Sequence, residues 1–135
     1  MAIFIIRRKF MPQISLKISS NINISDIHFE SLFFEINRAM MLVPDLNVDT
    51  CHSGLLQEKF SFIGRGDPKK TRIFLEILWL ENEDRKSIKA ELVKNLIVVL
   101  NKHLQKPLEA QGLNYAPRIR IADLGKINQD YFIFG

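Results

Sequence analysis

The feature that most constrains this chain is a change of hydrophobic period that occurs twice. From Pro12 to Ile18 the sequence reads Pro-Gln-Ile-Ser-Leu-Lys-Ile, and Ile14, Leu16 and Ile18 fall on one face of a strand. Beyond a polar turn at Ser19-Ser20-Asn21 the period lengthens, and Phe29, Leu32, Phe33, Ile36 and Met40 recur at helical spacing. Ser25 reads as the N-cap of that helix, with Asp26 in its first turn and Pro44 beyond its end. Leu55 to Ile63 reads as a second, weaker strand, and Gly64-Arg65-Gly66-Asp67-Pro68 as the turn after it.

The second half repeats this order. Arg72 to Leu80 is the clearest strand, with Ile73, Leu75, Ile77 and Trp79 on one face and Phe74, Glu76 and Leu78 on the other. Two largely apolar faces predict a strand covered on both sides. Ser87 to Gln105 reads as a long helix whose buried stripe includes Leu92, Leu96, Leu100, His103 and Leu104, closed by Pro107 and Gly112. A strand over Pro117 to Leu124 follows, and Tyr131-Phe132-Ile133-Phe134 reads as a short apolar strand or docking tail. Two folds satisfy strand-helix-strand taken twice. One is a ferredoxin-like sandwich; the other is a pair of β-α-β units sharing a mixed sheet with both helices on one face. Periodicity alone does not separate them.

The 135 residues suit one domain with a real core. Of the net charge of +4, three positive charges are Arg7, Arg8 and Lys9, so the remainder of the chain carries +1. A nucleic-acid surface needs more net charge and exposed stacking aromatics, and would reveal itself by steep salt-dependent binding. One cysteine, Cys51, cannot pair internally and points to a reducing, cytoplasmic setting. No run approaches the roughly 20 apolar residues of a membrane span, and Ala2 to Ile6 is too short for a signal peptide.

Chemical signatures are sparse. Phosphate-binding glycine loops, metal-ligand spacing among His28, His52 and His103, and nucleophile elbows are all missing. His28 reads as a first-turn residue, His52 as a loop residue and His103 as part of a helix's apolar side. Cys51 and His52 are adjacent, and adjacent residues seldom face each other; Cys51 reads as a small packing residue. Lys69, Lys70 and Arg72 read as a solvated strand end, and Arg118 with Arg120 as one face of a strand, either solvated or an anion-binding wall. Pro12 after Met11 stands out, although a proline is tolerated at a strand's first residue because it lacks an N–H.

From Pro12 onward the chain resembles the 5-carboxymethyl-2-hydroxymuconate isomerase family of the tautomerase superfamily. The register runs from Pro12 through Ser19, Asn21 and Ile22, and Leu32-Phe33-Phe34-Glu35-Ile36-Asn37 is similar to the family's Leu-Phe-x-x-Val-Asn segment. The strand Ile73 to Leu80 and the helix reaching His103-Leu104 also match its pattern, so the resemblance spans about Pro12 to Leu124. It implies a homotrimer with a site between subunits and cofactor-free, metal-free isomerisation of an unsaturated keto or enol acid. The implied general base is Pro12, exposed as an amino terminus by removal of Met11. Residues 11–135 then form one tautomerase-like domain, and Met1 to Phe10 an upstream or non-native extension. Purine-only codons can encode Arg7-Arg8-Lys9, as suits a ribosome-binding site. Of the family's substrate-holding arginines, Arg85 resembles one, displaced by a residue; at the other position stands Gln57, with Lys59 two residues on. The rival expectation is a non-catalytic ferredoxin-like ligand-binding or assembly module, with Ile3 to Arg7 as an extra strand.

Overall fold

A computed structural model describes residues 12–123. The expectations for Met1 to Phe10 and for Tyr131 to Phe134 lie outside these residues. Four strands, β1 (Gln13–Ile18), β2 (His52–Gln57), β3 (Ile73–Trp79) and β4 (Pro117–Asp123), form one sheet in the order β2-β1-β3-β4. β1 runs parallel to β2, β3 parallel to β4, and the central pair β1 and β3 is antiparallel. Each parallel pair is joined through a helix, α1 (Phe29–Met40) or α2 (Glu83–Leu100). The architecture is therefore the pair of β-α-β units sharing a mixed sheet.

Strand alternation places Ile14, Leu16, Ile18, Ile73, Leu75, Ile77 and Trp79 on one face, all of them buried. Against them pack Leu32, Ile36 and Met40 of α1 and Leu92, Leu96 and Leu100 of α2, so both helices cover the same face. The other face carries Ser15, Lys17, Phe74, Glu76 and Leu78, which are only half-buried. β3 is thus covered on one side within the chain, not on both. On the open face Glu76 receives Lys17 and Arg120, each at 3.7 Å.

Several boundaries differ from the sequence reading for local reasons. Asn23, not Ser25, caps the first turn: its Oδ1 accepts from the Ser25 N–H at 3.0 Å, and a single 3₁₀ turn over Ile24–Asp26 precedes α1. β2 starts at His52 and ends at Gln57 because its partner β1 ends at Ile18; the Glu58 N–H makes the last bond, to the Ile18 carbonyl at 2.9 Å. α2 starts at Glu83, where Asn82 Oδ1 accepts from the Arg85 N–H at 2.8 Å. Pro107 does not stop this helix. A π-helical turn over Asn101–Gln105 intervenes, and α3 (Lys106–Ala110) continues with the proline in its first turn. A proline there removes an N–H and crowds the carbonyl four residues back, that of His103, and a widened turn relieves both. Gly112, at φ +74°, follows the helix end.

Candidate functional site

Pro12 is buried where the chain enters β1, and its carbonyl accepts from the His52 N–H at 3.2 Å. Gln13 is in register with His52 on one side and Leu78 on the other. Continuing that register by one residue sets Pro12 between Cys51 and Trp79, on the helix-covered face. Trp79 is fully buried, and its indole Nε1 has no hydrogen-bond partner among the described residues; neither has Ser53 Oγ, on the same face. Buried polar atoms are nearly always satisfied, so this end of the sheet holds unused hydrogen-bonding capacity.

Arg85 belongs to the same end. Its Nη1 donates to the Leu80 carbonyl at 2.7 Å, its Nη2 to the Asp45 carbonyl at 3.1 Å and its Nε to the Pro44 carbonyl at 3.4 Å. Those bonds use three of five N–H donors and leave two. Burial pushes the Cys51 thiol above its ordinary range, and the positive charge of Arg85 partly offsets that shift. A thiol so protonated is a packing group rather than a nucleophile.

Lys59 is exposed and lies beyond the C-terminal end of β2. That end pairs with Ile18, six residues from Pro12, so β1 separates the two by roughly 20 Å, at about 3.3 Å per residue. Gln57 faces inward there, and its Nε2 donates to the Ile22 carbonyl at 2.8 Å and to the Ser19 carbonyl at 3.2 Å. A single chain therefore brings Pro12 and Arg85 to one sheet end and Lys59 to the other.

The histidines are dispersed. His28 and His52 are exposed, and no group of three or more metal-binding side chains occurs among the described residues. His103 meets Glu35 across the α1–α2 boundary, and Lys102 meets the other oxygen of the same carboxylate. The π-helical turn carries both partners, a relationship that periodicity could not supply. The sequence reading also missed the unsatisfied Trp79 indole, since its tryptophan signalled only a large core residue.

No protein-family model and no curated protein matches the chain in sequence. Solved structures do match in three dimensions. One is a 5-carboxymethyl-2-hydroxymuconate isomerase from Deinococcus radiodurans, with a TM-score of 0.71 at 16% identity, covering 87% of this chain and 85% of that one. The chain has the tautomerase-superfamily fold. A 5-carboxymethyl-2-hydroxymuconate delta-isomerase aligns with a TM-score of 0.69 at 12% identity over 84% of this chain and 82% of its own. A macrophage migration inhibitory factor-like protein from Entamoeba histolytica shares the tautomerase fold more distantly, with a TM-score of 0.55 at 13% identity over 84% and 86%. The resemblance first read from Pro12, the Leu32–Asn37 segment and β3 thus holds at the level of fold.

Proposed function

We propose that this protein is a cofactor-independent isomerase of the tautomerase type that moves a proton within a small unsaturated keto or enol acid. Pro12 is the general base, in a form of the chain that begins at it. The observation that carries the reading is the burial of Pro12 at the mouth of the central strand pair in a fold shared with two named isomerases.

The chemistry follows from the nitrogen. Within the chain, the Pro12 nitrogen is a tertiary amide without useful basicity. As an amino terminus it becomes a secondary amine with a pKa starting near 7.7–8.0. Burial disfavours its ammonium form and lowers that value, so a neutral base is available at physiological pH. The amine removes the proton next to the carbonyl, the electron pair passes into the conjugated system, and the same ammonium returns the proton further along. Arg85 holds a substrate carboxylate with its two remaining N–H donors. Lys59, at the far end of its own subunit's sheet, reaches a substrate only from a neighbouring subunit, consistent with the homotrimer that the resemblance implies. A cytoplasmic location goes with this reading.

The deciding experiment makes the chain from Pro12 and compares it with the full-length form in ketonisation of simple enol acids. Turnover is expected only where mass spectrometry finds a free Pro12 amine, and it should disappear in a processed Pro12→Ala chain. Equal turnover by the full-length chain with Met1 intact overturns the assignment of Pro12.

A further inference from the structure

The side of the helix layer that faces away from the sheet takes no part in the reaction above. Leu32, Ile36 and Met40 point at the sheet from α1, and Leu92, Leu96 and Leu100 from α2. A residue two places further along an α-helix lies about 200° round its axis. Phe34, Arg38 and Leu42 therefore form one outward row, with Leu42 in the turn that closes α1. Lys94, Val98 and Lys102 form the other, with Lys102 in the π-helical turn. All six are exposed.

The two rows alternate in opposite phase. β1 and β3 are antiparallel, so the helices that follow them are too, and Glu35 meets Lys102 and His103 across the seam. Equal rise along both axes then sets Phe34 across from Lys102, Arg38 from Val98 and Leu42 from Lys94. Apolar and cationic side chains thus make a checkerboard, with a step of about 6 Å along each row.

This face is more apolar and more basic than a solvated one requires. Seven of the nine residues from Leu92 to Leu100 are apolar, whereas a helix covered on one side needs only a stripe. No acid occurs between Ile36 and Val43 or between Leu92 and Lys102. Glu35 is the carboxylate in the seam, and Lys102 and His103 already hold it. Arg38 and Lys94 make no ion pair among the described residues.

Charge and pattern together select what covers it. A second copy of the same face would set cation against cation. A bilayer takes up a face whose apolar side chains stand together with the cations outside them; here the cations stand among the apolar groups. An acidic helix meets both demands. Its apolar stripe lies along the seam, and acids flanking the stripe reach Arg38 on one side and Lys94 on the other, as flanking charges do between coiled-coil helices.

We infer that the seam between α1 and α2 is the docking site for an acidic amphipathic helix of a partner protein. The site lies across the sheet from the open face and makes no use of the Pro12 nitrogen, so the full-length chain is the right protein to test.

The probe is a synthetic peptide of three heptads with Leu at positions a and d and Glu at e and g, titrated into the full 135-residue chain and followed by amide chemical shifts. A comparison peptide differs only in carrying Lys at e and g. Saturable shifts are expected at Phe34, Arg38, Leu42 and Val98 with the acidic peptide, and the basic one should bind at least tenfold more weakly. The double variant Arg38→Glu with Lys94→Glu, both exposed substitutions checked for folding by circular dichroism, should reverse that preference. Absence of saturable shifts at these four residues overturns the inference, as does equal affinity for the two peptides or an unchanged preference in the double variant. Phosphatidylserine vesicles serve as the rival surface: loss of the same signals on vesicles, with none moved by the peptide, overturns the protein partner in favour of a membrane.

Discussion

Arg85 Nη1 donates to the Leu80 carbonyl at 2.7 Å, which fastens the first turn of α2 to the end of β3. The same guanidinium holds the Pro44 and Asp45 carbonyls beyond α1. One side chain therefore joins both β-α-β units at the Pro12 end of the sheet. Arg85→Ala leaves three carbonyls without that donor and should cost about 2–4 kcal/mol of stability, since hydrogen bonds to charged groups are worth more than neutral ones. Arg85→Lys should recover less than half of the loss, because an ammonium lacks the planar fork. Urea denaturation of the two variants measures both quantities, and an alanine variant as stable as the parent would show that these bonds are not structural.

The core makes a sharper contrast within one helix. Leu96 is fully buried, whereas Val98, two positions along, is 66% exposed. Leu96→Ala should cost about 2–5 kcal/mol through lost transfer energy and a cavity. Val98→Ala should stay within about 0.5 kcal/mol of the parent. Similar costs at both positions would contradict the packing of α2 on the sheet.

Glu35 gives the chain an acid-sensitive link between α1 and the π-helical turn. Hydrogen bonds from Lys102 and His103 hold its carboxyl below the ordinary 4.5. A carboxyl depressed in the folded state stabilises fully above its unfolded value and loses that contribution as pH falls through the folded one. Glu35→Gln should therefore lower Tm at pH 7, and the difference from the parent should shrink on acidification below pH 4.5. Thermal melts at pH 7, 4 and 3 follow it, and a difference that grows in acid would refute the pairing.

The sequence was informative wherever one period dominated. The alternation of Ile14, Leu16 and Ile18 and the stripe of Leu32, Ile36 and Met40 produced β1 and α1, and both fill the core. Boundaries failed where a side chain or partner strand decides them: Asn23 displaced Ser25 as the cap, and the end of β1 cut β2 short. Pro107 was read as a stop because the widened turn before it leaves no compositional trace. Pro12 and Arg85 were both named in advance, but their shared sheet end depends on the antiparallel pairing of β1 with β3. Lys59, by contrast, stands at the opposite sheet end, a separation set by the pairing of β2 with β1 that periodicity does not reveal.

Gln57 supplies the last test, because a resemblance places an arginine where this chain has an amide. Its Nε2 holds the Ser19 and Ile22 carbonyls together, closing the turn between β1 and α1. Ser19 is fully buried and Ile22 nearly so. Gln57→Leu should cost about 1–3 kcal/mol, the usual penalty for leaving buried acceptors unpaired. Gln57→Glu is more discriminating. An ionised carboxylate cannot donate and would face two carbonyl oxygens, so folding should raise the pKa of the new carboxyl above its unfolded value. The folded variant then binds the extra proton more tightly, and its stability relative to the parent must rise as pH falls. Urea denaturation of parent and variant, matched at pH 7 and pH 4, should show a deficit that narrows in acid. A deficit unchanged between those pH values would mean that Nε2 does not donate into the turn and that Gln57 merely fills space.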